Sequence, residues 1–481
     1  MARMKRLAGM ALAAGLVIGG LAAASATPAA AAPSTCGGTG AVTTKAGAFS
    51  DGSTYLIQCP SGAWNGTLFL YSHGYVVPGE ANPAQDVSDP VTQSWLLGNG
   101  YAIAGSSYAI TGWPVKSALT DQVATVNTFD QTYGRPSHTI AWGASLGGMI
   151  TAGLIQDDPS LFSAALPLCG VLSGGVATWN TALDAAFAFQ QLIAPNVKIV
   201  HISDADAAGN LTAGEEAIAA AQQTPQGQAR IALAAALGDT PGWFTPLSPE
   251  PGATDYSAQE VNQYLWDTEV TFPFVLDFRS QLEDVAGGNP SWNTGVNYAA
   301  DLSKSADLAE VQALYAKAGL SLSKDLQTLN SAPRISADPF AVTYLAQNVA
   351  YNGEISVPTL TMHTIGDGLV VPENEQAYRS VVDRDGRGAL LQQLFVSRAG
   401  HCAFTPAEIV TSMKVLLNRM STGHWNVPSP AELNAEAAAL GPNFNIYALS
   451  STDIVPTAPE FASFSPTRYL RPFDLFPFPI L

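Results

Sequence analysis

The chain has 481 residues, 47% of them hydrophobic and only 12% charged, about half the charged share of an average globular protein. That composition excludes a chain disordered throughout, because there is ample apolar surface to bury. A net charge of −18 excludes nucleic-acid partners, which need a basic footprint. The length allows two or three domains, or one enlarged domain.

In chain order, residues 1–32 read first as a secretory signal peptide. Arg3, Lys5 and Arg6 form a positive n-region, Leu7 to Leu21 an apolar stretch, and Ala24-Ser25-Ala26 and Ala30-Ala31-Ala32 small-residue cleavage sites. The apolar run is short for a membrane span and lacks a basic stop-transfer flank. No cysteine ends it, so the expectation is a secreted, extracellular protein without a membrane anchor. In an oxidising compartment Cys36, Cys59, Cys169 and Cys402 are expected to pair. Cys36 and Cys59 lie close in sequence on an N-terminal hairpin, which leaves Cys169 with Cys402.

Thr54–Gln58 and Thr67–Tyr71 read as strands with Asn65-Gly66 as the turn between them. The second runs into Ser72-His73-Gly74-Tyr75. Ser94–Gly100 reads as a helix, Tyr101–Ala104 as a strand and Asp121–Tyr133 as an amphipathic helix. His138–Trp142 follows as a buried strand, Met149–Asp157 as a helix and Ser163–Leu168 as a strand. This alternation over 33–172 marks a parallel sheet with helices on both faces, the α/β class. Residues 173–345 are Ala-rich and read as helix, for example Ala213–Ala235, Ser257–Glu269 and Asp301–Ala318. They form a large helical cap or lid inserted into the sheet domain. The alternation resumes over 346–420: strand Thr359–Thr364, helix Glu373–Val382, strand Gln392–Val396, helix Thr405–Met420. The tail, 421–481, is rich in Pro and aromatics and reads as an irregular extension packed on the core.

Gly143-Ala144-Ser145-Leu146-Gly147 follows the strand Thr139–Trp142 and opens a helix. That setting makes a Gly-x-Ser-x-Gly motif a nucleophile elbow, a sharp turn that lifts the serine hydroxyl above the sheet. A serine needs a base and an orienting acid. His401 lies in the loop after the last strand, at the carboxyl edge where catalytic loops gather. His363 lies inside a strand and reads as a packed core histidine, His201 belongs to the cap and His424 to the tail. The acid is Asp367, after the penultimate strand; Asp383 and Asp385 precede the last strand instead. The oxyanion of a tetrahedral intermediate needs two donors. These are expected to be the backbone N–H groups of Leu146 and Tyr75, with Gly74 as the adjacent alternative, and His73 is expected to be structural.

These motifs resemble the α/β-hydrolase superfamily over residues 54–172 and 355–420. Within it the chain resembles secreted actinobacterial esterase-like hydrolases, in the run Gly100-Tyr-Ala-Ile-Ala-Gly-Ser-Ser-Tyr108 and then Gly112-Trp113. It is partly similar to the tannase and feruloyl esterase group, in which a disulfide tethers the catalytic serine and histidine through adjacent cysteines. Cys402 follows His401 as in that group, whereas Ala144 stands before Ser145. The resemblance implies an α/β-hydrolase fold whose cap lies between nucleophile and acid. It implies a serine hydrolase acting on a small or oligomeric carboxylic ester without a cofactor.

Two alternatives stand beside that reading. One is a secreted aminopeptidase of the same fold, with Glu215, Glu216, Glu260 or Glu269 holding the substrate's amine; the other is an inactive extracellular binding protein. Trp179, Trp243, Trp266 and Trp292 in the cap suit either an acyl pocket or the cap's own core. Asp204, Asp206, Asn210, Thr212 and Glu215 match a twelve-residue calcium loop, with Gly209 at position six but Ala208 in place of an oxygen ligand. Calcium at this loop is the one candidate metal. Oligomeric state leaves no signature in the sequence.

Overall fold

A computed structural model describes residues 35–449 and 453–473; the leader lies outside them. Strands β1 (Thr43–Ala48), β2 (Thr54–Cys59), β3 (Thr67–Ser72), β4 (Ala102–Ser106), β5 (His138–Ala144), β6 (Ala164–Leu168), β7 (Thr359–Gly366) and β8 (Leu391–Ala399) build one sheet. Two short strands, β9 (Ile446–Ala448) and β10 (Ile454–Pro456), pair apart from it, and β11 (Phe461–Ala462) adds a last edge. The order is β1-β2-β4-β3-β5-β6-β7-β8-β11. Strands β3 to β8 run parallel, while β1, β2 and β11 pair antiparallel. This is the α/β-hydrolase type of sheet. Strands β2 and β3 are not a hairpin, because β4 lies between them. The hairpin partner of β2 is β1, whose alternating half-exposed residues carry too weak an apolar signal to announce a strand.

Successive side chains of a strand point to opposite faces, and here they feed two cores. Leu68, Leu70, Ala102, Ala104 and Ala141 pack under helices α2 (Val115–Tyr133) and α3 (Leu146–Asp157). Phe69, Tyr71, Ile103, Ile140 and Trp142 face α1 (Pro90–Gly98) and helix Pro406–Thr422. Asp89 caps α1 by accepting from the N–H groups of Val91 and Thr92. Between β6 and β7 the chain is helical and has a core of its own, including Phe187, Phe189, Ile231, Leu276 and Tyr298. Its first four helices are α4 (Gly175–Leu192), α5 (Asp204–Gln222), α6 (Pro225–Leu237) and α7 (Tyr256–Trp266).

The single helix expected over Ala213–Ala235 is two. Pro225 cannot donate an N–H and starts α6, while Thr224 caps it by accepting from Gly227 N–H. The calcium loop is also corrected. Its residues Asp204 to Glu215 lie within α5, so no looped coil gathers their oxygens. Asp206 accepts from Lys198 at 2.7 Å and from Ser203 at 2.8 Å. Asn210 is spent on the backbone of Lys198 and Leu276. Asp204 and Asp206 instead sit in the first turn of the helix, where acidic side chains suit the helix dipole. Among the described residues no group of His, Cys, Asp and Glu could hold a metal ion. No helix among them is long and apolar enough to cross a membrane.

The tail is less irregular than its composition implies. It forms helix Pro430–Ala438, the β9–β10 pair and β11, which extends the sheet beside β8. Arg398, at the end of β8 and fully buried, ties it down. Its guanidinium donates to both carboxylate oxygens of Glu408 at 2.8 and 3.0 Å and to the carbonyls of Ala403 and Ala458. Replacing Arg398 by Met leaves Glu408 charged, buried and unpaired. We expect a loss of about 3–5 kcal/mol, read by urea unfolding. A loss below about 1 kcal/mol, the scale of a solvent-exposed pair, would show that the pair is not sealed from water.

Candidate active site

Ser145 stands at the N-terminus of α3 with φ 60° and ψ −124°, a conformation that a non-glycine residue adopts only when its surroundings force it. Close packing supplies that force. A Cβ on Gly147 would meet the Ser72 carbonyl oxygen at 1.9 Å, and one on Gly143 would meet it at 2.4 Å. The N–H of Ser145 donates to the Leu168 carbonyl at the end of β6 at 2.9 Å.

The next residue, Cys169, is disulfide-bonded to Cys402, beside His401. The end of β6 therefore holds both the serine backbone and the histidine loop. The second disulfide joins Cys36 and Cys59, so both expected pairings are present.

The three residues read from the sequence meet. His401 Nε2 lies 2.8 Å from Ser145 Oγ, and His401 Nδ1 lies 2.7 Å from Asp367 Oδ2. Asp367 is fully buried, and its other oxygen accepts from the N–H groups of Leu369 and Val370, each at 3.0 Å. Burial alone would raise its pKa. The charge of His401, with the bonds and charge of His363, outweighs burial and holds the carboxyl down at about 2.

His363 was expected to be a core histidine, and it is fully buried, but it is not inert. Its Nε2 is 2.7 Å from the Val370 carbonyl and 3.6 Å from Asp367 Oδ2, and its Nδ1 is 3.2 Å from Glu375. Burial opposes its charge, yet the bonds and charges of Asp367 and Glu375 prevail and lift its pKa to about 10. This imidazolium stands directly behind the acid. Sequence periodicity could not reveal it, because its partners lie on a loop and on helix Glu373–Arg384.

On the other side of Ser145 lies Gly74, where a Cβ would make an ordinary contact of 3.6 Å with the serine Cβ. No hydrogen bond among the described residues uses the N–H groups of Leu146, Tyr75 or Gly74. The loop that carries Tyr75 is fixed by His73. That ring is buried between the Gly74 and Ser107 carbonyls and stacks on Tyr108 at 3.9 Å. A cavity opens at Ser145, walled by Tyr75, Trp113, Leu146, Val171, Trp179 and Phe274 among others. Of the four cap tryptophans, only Trp179 lines it. Trp266 and Trp243 pack together, with an indole N–H to carbonyl bond of 2.9 Å, and Trp292 meets Phe473. None of Glu215, Glu216, Glu260 and Glu269 lines this cavity; Glu260 is buried against Gln222.

The two buried ionic groups give opposite pH signatures. The folded pKa of His363 exceeds its unfolded value, so its contribution to stability is complete below about pH 6.5 and lost as pH rises through about 10. The folded pKa of Asp367 is depressed, so its contribution is complete above about pH 4 and lost as pH falls towards about 2. His363→Gln should therefore be less stable than the parent at pH 6, with a gap that closes towards about pH 10. A gap independent of pH would show that His363 is neutral in the fold.

The model of the Tannase-like family of unknown function (DUF6351) matches residues 51–298. The o-phthalyl amidase of Xanthobacter agilis is 31% identical over 447 residues, which cover 86% of this chain and 96% of the amidase. Among solved structures, the chain is similar to feruloyl esterase B from Aspergillus oryzae, with 12% identity and a TM-score of 0.41 over 79% of this chain and 81% of that one. It is similar too to the rice cell wall degrading esterase LipA from Xanthomonas oryzae, with 16% identity and a TM-score of 0.34 over 79% and 89%. The family match spans more than half of the sequence, and the amidase aligns over nearly its whole length. The chain therefore belongs to the Tannase-like family of unknown function (DUF6351).

Proposed function

We propose that this protein is a secreted serine hydrolase that cleaves carboxylic esters through an acyl-enzyme. The observation that carries the reading is the unbroken series of contacts from buried Asp367 through His401 to Ser145 Oγ. A serine hydroxyl becomes nucleophilic when a base takes its proton as it attacks. His401 Nε2 is placed for that transfer, while Nδ1–H donates to ionised Asp367, which fixes the tautomer and stabilises the imidazolium that forms.

As the Ser145 Oγ–carbonyl bond forms, the carbonyl π pair moves to oxygen, where the Leu146 and Tyr75 N–H groups are the assigned donors. Collapse expels the alcohol, which takes the proton from His401. Water then gives His401 a proton, attacks the acyl-serine, and releases the acid while Ser145 recovers its hydrogen. The reaction asks for no metal or cofactor. Two disulfides and a leader-like N-terminus support an extracellular location.

Cleavage of an amide by the same steps is the second reading, favoured by the amidase relative. The amine leaving group simply depends more on protonation by His401.

The test compares the parent with Ser145→Ala on p-nitrophenyl esters of rising chain length, aryl amides and aminoacyl anilides. Turnover should fall at least about 10⁴-fold in the variant, and a fluorophosphonate should label only the parent, at Ser145. Retained turnover in Ser145→Ala would remove the proposal. The ratio of ester to amide turnover decides between the two readings.

A further inference from the structure

A second cavity adjoins the one at Ser145. Thr178, Ala182, Thr271, Val275 and Leu369 line both. Its other walls mix apolar side chains such as Phe189, Phe272 and Leu276 with polar ones such as Thr181, Thr240 and Asn374, and Asp267 is the one charged residue among the described residues that line it. Among the described residues no Lys or Arg lines either cavity.

Asp267 sits where α7 gives way to a π-helical turn, Asp267–Thr271, ahead of Pro273. Such widened turns often accompany functional sites. One carboxylate oxygen accepts from Thr271 Oγ1 at 2.9 Å. No hydrogen bond among the described residues reaches the other. Asp267 is half-buried, and its desolvation, only partly offset by Thr271, pushes the carboxyl up to about 7.

A half-buried carboxylate with only one hydroxyl bonded to it is stabilised further by a cation brought against it. No Lys or Arg among the described residues lining the cavity supplies one, so a cationic ligand group would find Asp267 available to pair with it. A neutral acyl group leaves Asp267 unpaired, and an anionic one is repelled. We propose that this cavity is an acyl-side subsite in which Asp267 takes a protonated amine, so that the preferred substrate carries an ammonium group on its acyl part. The inference rests on the reading of Ser145 as the nucleophile. It replaces the cap glutamates, none of which lines either cavity, with an acid one residue beyond α7.

The test uses matched p-nitrophenyl esters of hexanoate, 6-hydroxyhexanoate and 6-aminohexanoate near pH 8, where Asp267 is mostly ionised. The parent should favour the amino ester over hexanoate in kcat/KM by about tenfold or more, the scale of one charge-assisted contact. Asp267→Asn keeps the shape and should abolish that ratio, a readout blind to any general loss of activity. An unchanged ratio in Asp267→Asn, or a parent that prefers hexanoate or the hydroxy ester, would overturn the subsite.

Calorimetry of hexylamine binding to Ser145→Ala, with and without Asp267→Asn, separates this idea from the catalytic one. Amine binding that requires Asp267 sustains the subsite even if no ester is turned over. Binding that is absent, or indifferent to Asp267, removes the subsite even if the esters are cleaved.

Discussion

The structure depends on one close approach, that of the β5–α3 turn to the ends of β3 and β6. Gly143 and Gly147 lie against the Ser72 carbonyl, and Gly148 lies against Gly170 and Leu168, with no room for a single methyl group. That crowding holds Ser145 in its positive-φ conformation and aims its hydroxyl out of the sheet. The same strand end anchors the histidine loop through Cys169–Cys402. Packing and a covalent link thus set the distance from Ser145 to His401, the preorganisation that the proposed catalysis calls for.

Electrostatics then set the protonation states. Asp367 is fully buried and would ordinarily resist ionisation. It stays ionised because two backbone N–H groups and two histidines surround it, one of which stands between it and buried Glu375. Glu375 is in turn held by Thr361 and Gln393. The acid is therefore one member of a buried ionic chain, and His363 is as much part of its support as the loop that carries it. A single buried charge pair would be weak evidence for stability. A chain in which each member is bonded on more than one side is a firmer arrangement.

How much of this was legible in the sequence follows from the range of each interaction. The Gly-x-Ser-x-Gly turn and the strand–helix alternation are local patterns, and Ser145, Asp367 and His401 could be read from them together. The sheet order could not, because the turn-like Asn65-Gly66 gives no sign that β4 slips between β2 and β3. Pro225 was a local signal that the Ala-rich composition around it obscured, so two helices read as one. The calcium pattern is a spacing of oxygens alone, and Ser203 and Asp204 are as good a helix start as a loop start, which is how the fold uses them. The ionic role of His363 and the placement of Asp267 leave no mark in the sequence, for one shared reason. Their roles lie in partners and cavities formed by segments distant in sequence, which no periodicity records.

The central claim is that Ser145 carries the acyl group. The direct measurement is acid quenching of the enzyme within the first turnovers of a p-nitrophenyl ester, followed by intact-mass and peptide-mass analysis. The account predicts an adduct of the acyl mass on the peptide containing Ser145, formed together with a burst of p-nitrophenol close to one per enzyme molecule. Accumulating product with no adduct, or an adduct on any other residue, would contradict it.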